Sequence, residues 1–175
     1  RSSAEIPHMR FGRVRAFLGG VYNWSSKHAM REQLESCQPD VVHVHNVFPL
    51  ISASVLGACR QAGVPVVMTV HNYRLVCPTG LHTRNGRVCE DCTAGREYWC
   101  VLHNCTGGLF KSVGYALRTY VARTCRLFLN NVTLYVALTE FQRRRLVAAG
   151  VSADRIVVIP NMAELGDCQA DGHPG

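Results

Sequence analysis

From Ser25 onward the chain alternates between amphipathic stretches and short, uniformly apolar ones. Between Ser25 and Ser36, Ala29, Met30 and Leu34 fall on one side of a 3.6-residue repeat and Arg31, Glu32 and Glu35 on the other, which predicts a helix stopped by Gln38-Pro39-Asp40. The run Val41-Val42-His43-Val44-His45 is β-branched and nearly apolar on both faces, the pattern of a parallel strand covered on each side, and His43 within it reads as a core histidine. A second helix is expected over Leu50 to Gln61, and Gly63 and Pro65 mark its end and the start of the strand Val66 to Val70. A third helical pattern places Val113, Leu117, Tyr120, Val121, Thr124 and Phe128 on its core side, with arginines opposite. Val132 to Leu138 reads as a strand. Thr139 with Gln142 forms a capping box at the head of a basic helix running to Gly150. Arg155 to Ile159 reads as the last strand, ended by Pro160-Asn161.

Helices alternating with buried strands predict an α/β fold with a doubly wound parallel sheet. Val41 to Val44, Val66 to Val70, Thr133 to Ala137 and Ile156 to Ile159 should be parallel neighbours in it. The exception is an irregular insertion from Tyr73 to about Gly108, too long for a bare loop unless something holds it or it carries function. Five of the chain's nine cysteines, Cys77, Cys89, Cys92, Cys100 and Cys105, lie there. Cys77, Cys89, Cys92 and Cys105 follow the spacing C-x11-C-x2-C-x12-C, which suits a tetrahedral structural Zn²⁺. Cys100, His82 and His103 compete for the fourth position, and free thiols or disulfides are the alternatives. An odd total fits poorly with complete pairing.

Composition changes the picture little. At 175 residues, 47% hydrophobic and 18% charged, the chain can bury one sizeable core and is neither fibrous nor disordered. No apolar run is long enough to cross a bilayer, and Arg1 to Glu5 is not a secretory signal, so a cytoplasmic location with reduced thiols is the expectation. The net charge of +7 gives a surface open to contact with anionic lipid at the inner face of a membrane. A basic zinc-bearing nucleic-acid module is the alternative reading. Few aromatics interleave with the basic residues and the arginines sit on helices away from the cysteines, so no nucleic-acid partner is expected.

The most informative chemistry is a repeated dipeptide. His45-Asn46 and His71-Asn72 each follow an apolar strand, and in a parallel sheet both positions open onto the carboxyl edge, where doubly wound folds bind ligands. An imidazole that gains or loses a proton near neutrality, beside an amide that both donates and accepts, suits a hydroxyl-rich ligand. Each histidine could instead bond loop backbone.

Taken in order, Gln38 to Asn46, Gly63 to Tyr73, Leu138 to Leu146 and Arg155 to Asn161 resemble the amino-terminal domain of the family-4 glycosyltransferases, over about Ser25 to Glu164. Cys77-Pro78-Thr79-Gly80 followed by Cys89-Glu90-Asp91-Cys92 is similar to a subgroup of bacterial capsule and exopolysaccharide enzymes. The resemblance implies half of a two-domain GT-B architecture, Rossmann-like, that binds the acceptor. The nucleotide-diphosphate sugar would bind mainly to the other domain. It implies hexosyl transfer to a glycan or lipid-linked acceptor with retained configuration and no catalytic metal ion or other cofactor. His71 takes the place of the family's cleft histidine facing the donor sugar. His45, Asn46, Asn72 and Asn161 are the substrate-binding candidates, Asn161 at the turn into an interdomain linker. By the same resemblance, residues 1–164 form a partial acceptor-side domain lacking its first strands and residues 165–175 a linker start or disordered tail. Such a piece alone should be inactive.

Overall fold

The structure, a computed structural model, describes residues 22–45, 47 and 52–161. Helix α1 (Trp24–Cys37) begins at Asn23, whose side chain accepts from Ser26 N, and ends where Gln38 turns left-handed (φ 44°) ahead of Pro39. Strand β1 (Val42–Val44) leads to α2 (Ser54–Gln61), which packs along α1, and β2 (Val66–Val70) follows. Gly63, at φ 71°, lets the chain leave α2 and reverse into β2, with Val64 N bonded to Cys59 O at 3.0 Å. The insertion holds a two-stranded ribbon of β3 (Thr83–Arg84) and β4 (Arg87–Val88), and a short helix α3 (Tyr98–Leu102). Then come α4 (Leu109–Thr124), β5 (Leu134–Ala137), α5 (Glu140–Ala148) and β6 (Ile156–Val158). Among the described residues no helix is long and apolar enough to cross a membrane.

The four longer strands form one parallel sheet in the order β1-β2-β5-β6, as the alternating pattern predicts, and the fold is α/β and Rossmann-like. Strand β2 has the predicted bounds, and β1, β5 and β6 are two or three residues shorter than their apolar runs. The head of α2 falls four residues later than predicted, and residues 48–51 lie outside the described part. At the head of α5 the capping box forms in a variant way. Thr139 Oγ1 accepts from Gln142 N (3.1 Å), while Gln142 Oε1 reaches Leu138 N (2.8 Å) rather than the cap residue's own N–H.

Register decides which side chains make the core. Val44, Met68, Tyr135 and Ile156 occupy one row across the sheet, and Val70, Ala137 and Val158 the row above. All of these belong to the core cluster or pack on it, together with Leu56, Cys59, Phe128 and Leu146. Side chains alternate along a strand, so His43, Val67, Thr69, Val136 and Val157 point to the other face, and none of them joins that cluster. The expectation of strands packed equally on both faces is thus met on one. His43 is exposed instead of lying in the core, and bonds Thr69 Oγ1 at 2.8 Å.

Helix α4 departs furthest from its sequence pattern. It buries Ser112, Ala116, Arg118 and Thr119 and leaves Val113, Leu117 and Tyr120, three of the six residues predicted on its core side, exposed beside Phe110, while Phe128 beyond its end does join the core. The reason lies in what faces it. The insertion offers a carbonyl and a carboxylate, so the polar side of the helix turns inward: Arg118 donates to Pro78 O (2.9 Å) and Arg123 to Glu97.

Candidate functional site

Parallel pairing of β1 with β2 brings their carboxyl ends side by side, and the residues just beyond them meet. His45 Nδ1 lies 2.8 Å from His71 Nε2, with the rings stacked at 5.1 Å and 20°. His43, two residues before His45 and on the same side of its strand, adds a third imidazole 4.3 Å from the His45 ring. Both members of the bonded pair are exposed at the sheet edge. Behind them a cavity of about 20 Å³, bounded by Met68, Thr69, Leu75 and Phe128, has room for about one water.

The pair imposes a tautomer rule. One nitrogen of the short contact must donate and the other accept, so the proton on His45 decides which nitrogen of His71 carries hydrogen. If His45 Nδ1–H donates, His71 carries its proton on Nδ1 and can offer it outward; in the reverse sense Nδ1 of His71 is a free acceptor. Protonating both contact nitrogens would break the bond. The arrangement is a proton-bearing edge able to donate to, or accept from, a hydroxyl or phosphate oxygen placed against it.

The other candidates fall out differently. Asn72 Oδ1 accepts from Arg74 N at 3.1 Å, so its carbonyl shapes the turn leaving β2. Asn161 is exposed beyond the end of β6, two strands from β2, with no hydrogen bond to the histidines. Asn46 lies outside the described residues, as do residues 162–175, which include the expected tail. Thr69 and Arg74 take positions that motif reading did not assign. Arg74 had a signal, being the first cation after His71-Asn72; Thr69 had none beyond its place in an apolar run.

The insertion rises from this edge. Tyr73 O accepts from Cys77 N (2.7 Å) and Tyr73 N donates to Gly80 O (3.0 Å), closing a compact turn. His82 packs its ring on Tyr73 at 5.0 Å, only 3% exposed, with neither ring nitrogen hydrogen-bonded. Burial lowers its pKa below the ordinary histidine value. Arginines from the helices grip the insertion: Arg118 holds Pro78 O, Arg123 holds Glu97 through two bonds, and Arg145 holds Glu90 Oε2 at 2.8 Å. His103 is held between Asp91 (3.0 Å) and Arg84 (3.3 Å).

The thiols gather around Cys92, which interacts electrostatically with Cys77, Cys89, Cys100 and Cys105. Burial first, and these neighbours second, push Cys92 up to about 12; burial likewise pushes Cys100, hydrogen-bonded to Cys105, up to about 12. Among the described residues every cysteine is a free thiol, and no group of three or more His, Cys, Asp or Glu side chains is arranged to hold a metal ion.

Comparison with known proteins adds one finding. The family model described as Glycosyltransferase Family 4 matches residues 2–166. No curated protein and no solved structure matches the chain.

Proposed function

The chain belongs to glycosyltransferase family 4, and from that premise we propose that it takes part in transferring a hexosyl group from a nucleotide-diphosphate sugar to a glycan or lipid-linked acceptor, with retention of configuration. The observation that carries this reading is the His45–His71 hydrogen bond of 2.8 Å at the carboxyl edge of the parallel sheet. His71 faces the donor sugar and offers it a proton-bearing nitrogen. His45 orients that imidazole from the acceptor side. A fixed donor aimed at developing charge lowers a barrier because it needs no reorganisation when the bond breaks. The capsule or exopolysaccharide class is the acceptor family this reading favours.

In the complete enzyme, His71→Ala should lower turnover at least about tenfold, equal to ~1.4 kcal/mol, with the fold intact. Unchanged turnover in a folded variant would reduce His71 to a loop residue. The nucleic-acid reading is not carried further, because Arg118, Arg123, Arg145 and Arg155 are engaged within the protein.

For the insertion we propose a structural Zn²⁺ on Cys77, Cys89, Cys92 and Cys105. The support is the crowding of the other thiols about Cys92. The sulfurs would have to close in and release protons as the ion binds, since four like groups that oppose one another's ionisation are stabilised together by a dication. Elemental analysis of protein purified without added metal should find about one zinc per chain, lost in Cys92→Ser; metal-free protein from zinc-replete cells would refute it.

A further inference from the structure

Beyond the histidine edge, a second and larger space opens under the insertion. It is a cavity of about 470 Å³ between the Thr93–Gly95 turn, α4 and α5, and its size is that of an organic ligand site. Its walls are apolar, with Leu75, Phe128, Leu129 and Val151 among them. Its charged members are four arginines, Arg74, Arg123, Arg126 and Arg145, and one carboxylate, Glu97.

The charges do not cancel. Glu97 is bonded to Arg123, and Glu90, from outside the lining, to Arg145. Arg74 and Arg126 have no acidic partner among the described residues, and Arg74 stands close enough to the buried Arg118 to oppose its charge. Two glycines make room for this arrangement. A Cβ on Gly80 would lie 2.5 Å from Arg74 Cγ, and one on Gly95 would lie 3.0 Å from the Arg123 guanidinium; both glycines are left-handed, at φ 81° and 86°. Tyr135 forms part of the wall, fully buried, and its hydroxyl has no hydrogen-bond partner. Uncompensated guanidinium charge, an orphaned hydroxyl and apolar walls together describe a receptor for an anion with a hydrocarbon portion.

We propose that this cavity binds an amphipathic phosphate, a phosphate ester whose anion sits among Arg74, Arg126 and Tyr135 and whose apolar part lies along Leu129 and Val151. Leu75, Phe128 and Arg74 also bound the small cavity behind the histidines, so the occupant abuts the transfer edge. The inference rests on the cavity alone and not on the catalytic reading of His71.

Calorimetric titration of the full 175-residue chain tests it with three probes: inorganic phosphate, geranyl phosphate, and phosphatidylcholine vesicles containing phosphatidic acid. Geranyl phosphate should bind saturably and at least about tenfold more tightly than inorganic phosphate, since its hydrocarbon leaves water only in the cavity. Arg126→Glu and Ala149→Trp, which fills the space, should each weaken it by at least about tenfold, and His71→Ala should leave it unchanged. Arg74→Met is the second variant should Ala149→Trp not fold. No saturable binding of geranyl phosphate, binding indifferent to Ala149→Trp or Arg74→Met, or response to vesicles alone would overturn the cavity site, the last placing phosphate recognition on the outer surface.

Discussion

Between Val66 and Val70 every second side chain enters a core shared with Tyr135 and Leu56, whereas between Tyr73 and Gly108 the side chains sealed from water are Pro78, His82, Glu97 and Cys100. The sheet is held by apolar area, which is non-directional and tolerates repacking. The insertion is held by ion pairs, arginine–carbonyl bonds and packed thiols, each of which depends on geometry or on a protonation state. The two regions meet at Tyr73, two residues after His71. The histidine edge therefore adjoins a sheet held by apolar area and an insertion whose contacts chemistry can loosen.

The comparison breaks most visibly in the core. Leu56→Ala, at a fully buried site, should cost about 2–5 kcal/mol and lower the melting temperature of the whole chain, insertion included. A variant melting like the parent would mean that α2 is not part of the stabilising core.

Glu97→Gln removes a carboxylate that is 4% exposed, but the side chain of its partner Arg123 is 42% exposed, which limits the loss to about 1–2 kcal/mol. Limited proteolysis should then cut within residues 73–108 while the sheet melts almost as before. Protection of the insertion equal to the parent would show that the pair does not hold it.

Mild acid should loosen the insertion through His82. Burial holds His82 neutral, so its folded pKa lies below the unfolded value of about 6.5. Its contribution is complete above about pH 6.5 and is lost as the pH falls from there through the lower folded value, because only the unfolded chain takes up the proton. In chelator-treated protein, hydrogen exchange of residues 73–108 should quicken below that pH, and His82→Phe should flatten the response. A pH-independent insertion would contradict this account of His82.

The same division explains what the sequence made legible. Val66 to Val70 and Thr133 to Ala137 announce themselves by apolar runs, and the duplicated His-Asn after two such runs was enough to place His45 and His71 on one edge. The insertion carries no periodicity, so neither the gripping arginines nor the burial of His82 could be read from spacing. Helix α4 misled because its apolar spacing is genuine while its surroundings are polar; a pattern indicates a helix face, but the neighbour decides which face is covered. His43 misled for a related reason. An apolar run is taken to be covered on both sides, and only one side of this sheet packs into the core.

The central claim is that His45 acts through His71 as one hydrogen-bonded unit. A double-mutant cycle, measuring turnover for His45→Ala, His71→Ala and the double variant, tests it directly. If the pair is a unit, the double variant loses no more than His71→Ala alone, at least about tenfold, because the partner of His45 is already gone. Losses that multiply would show two histidines working independently and would contradict the account.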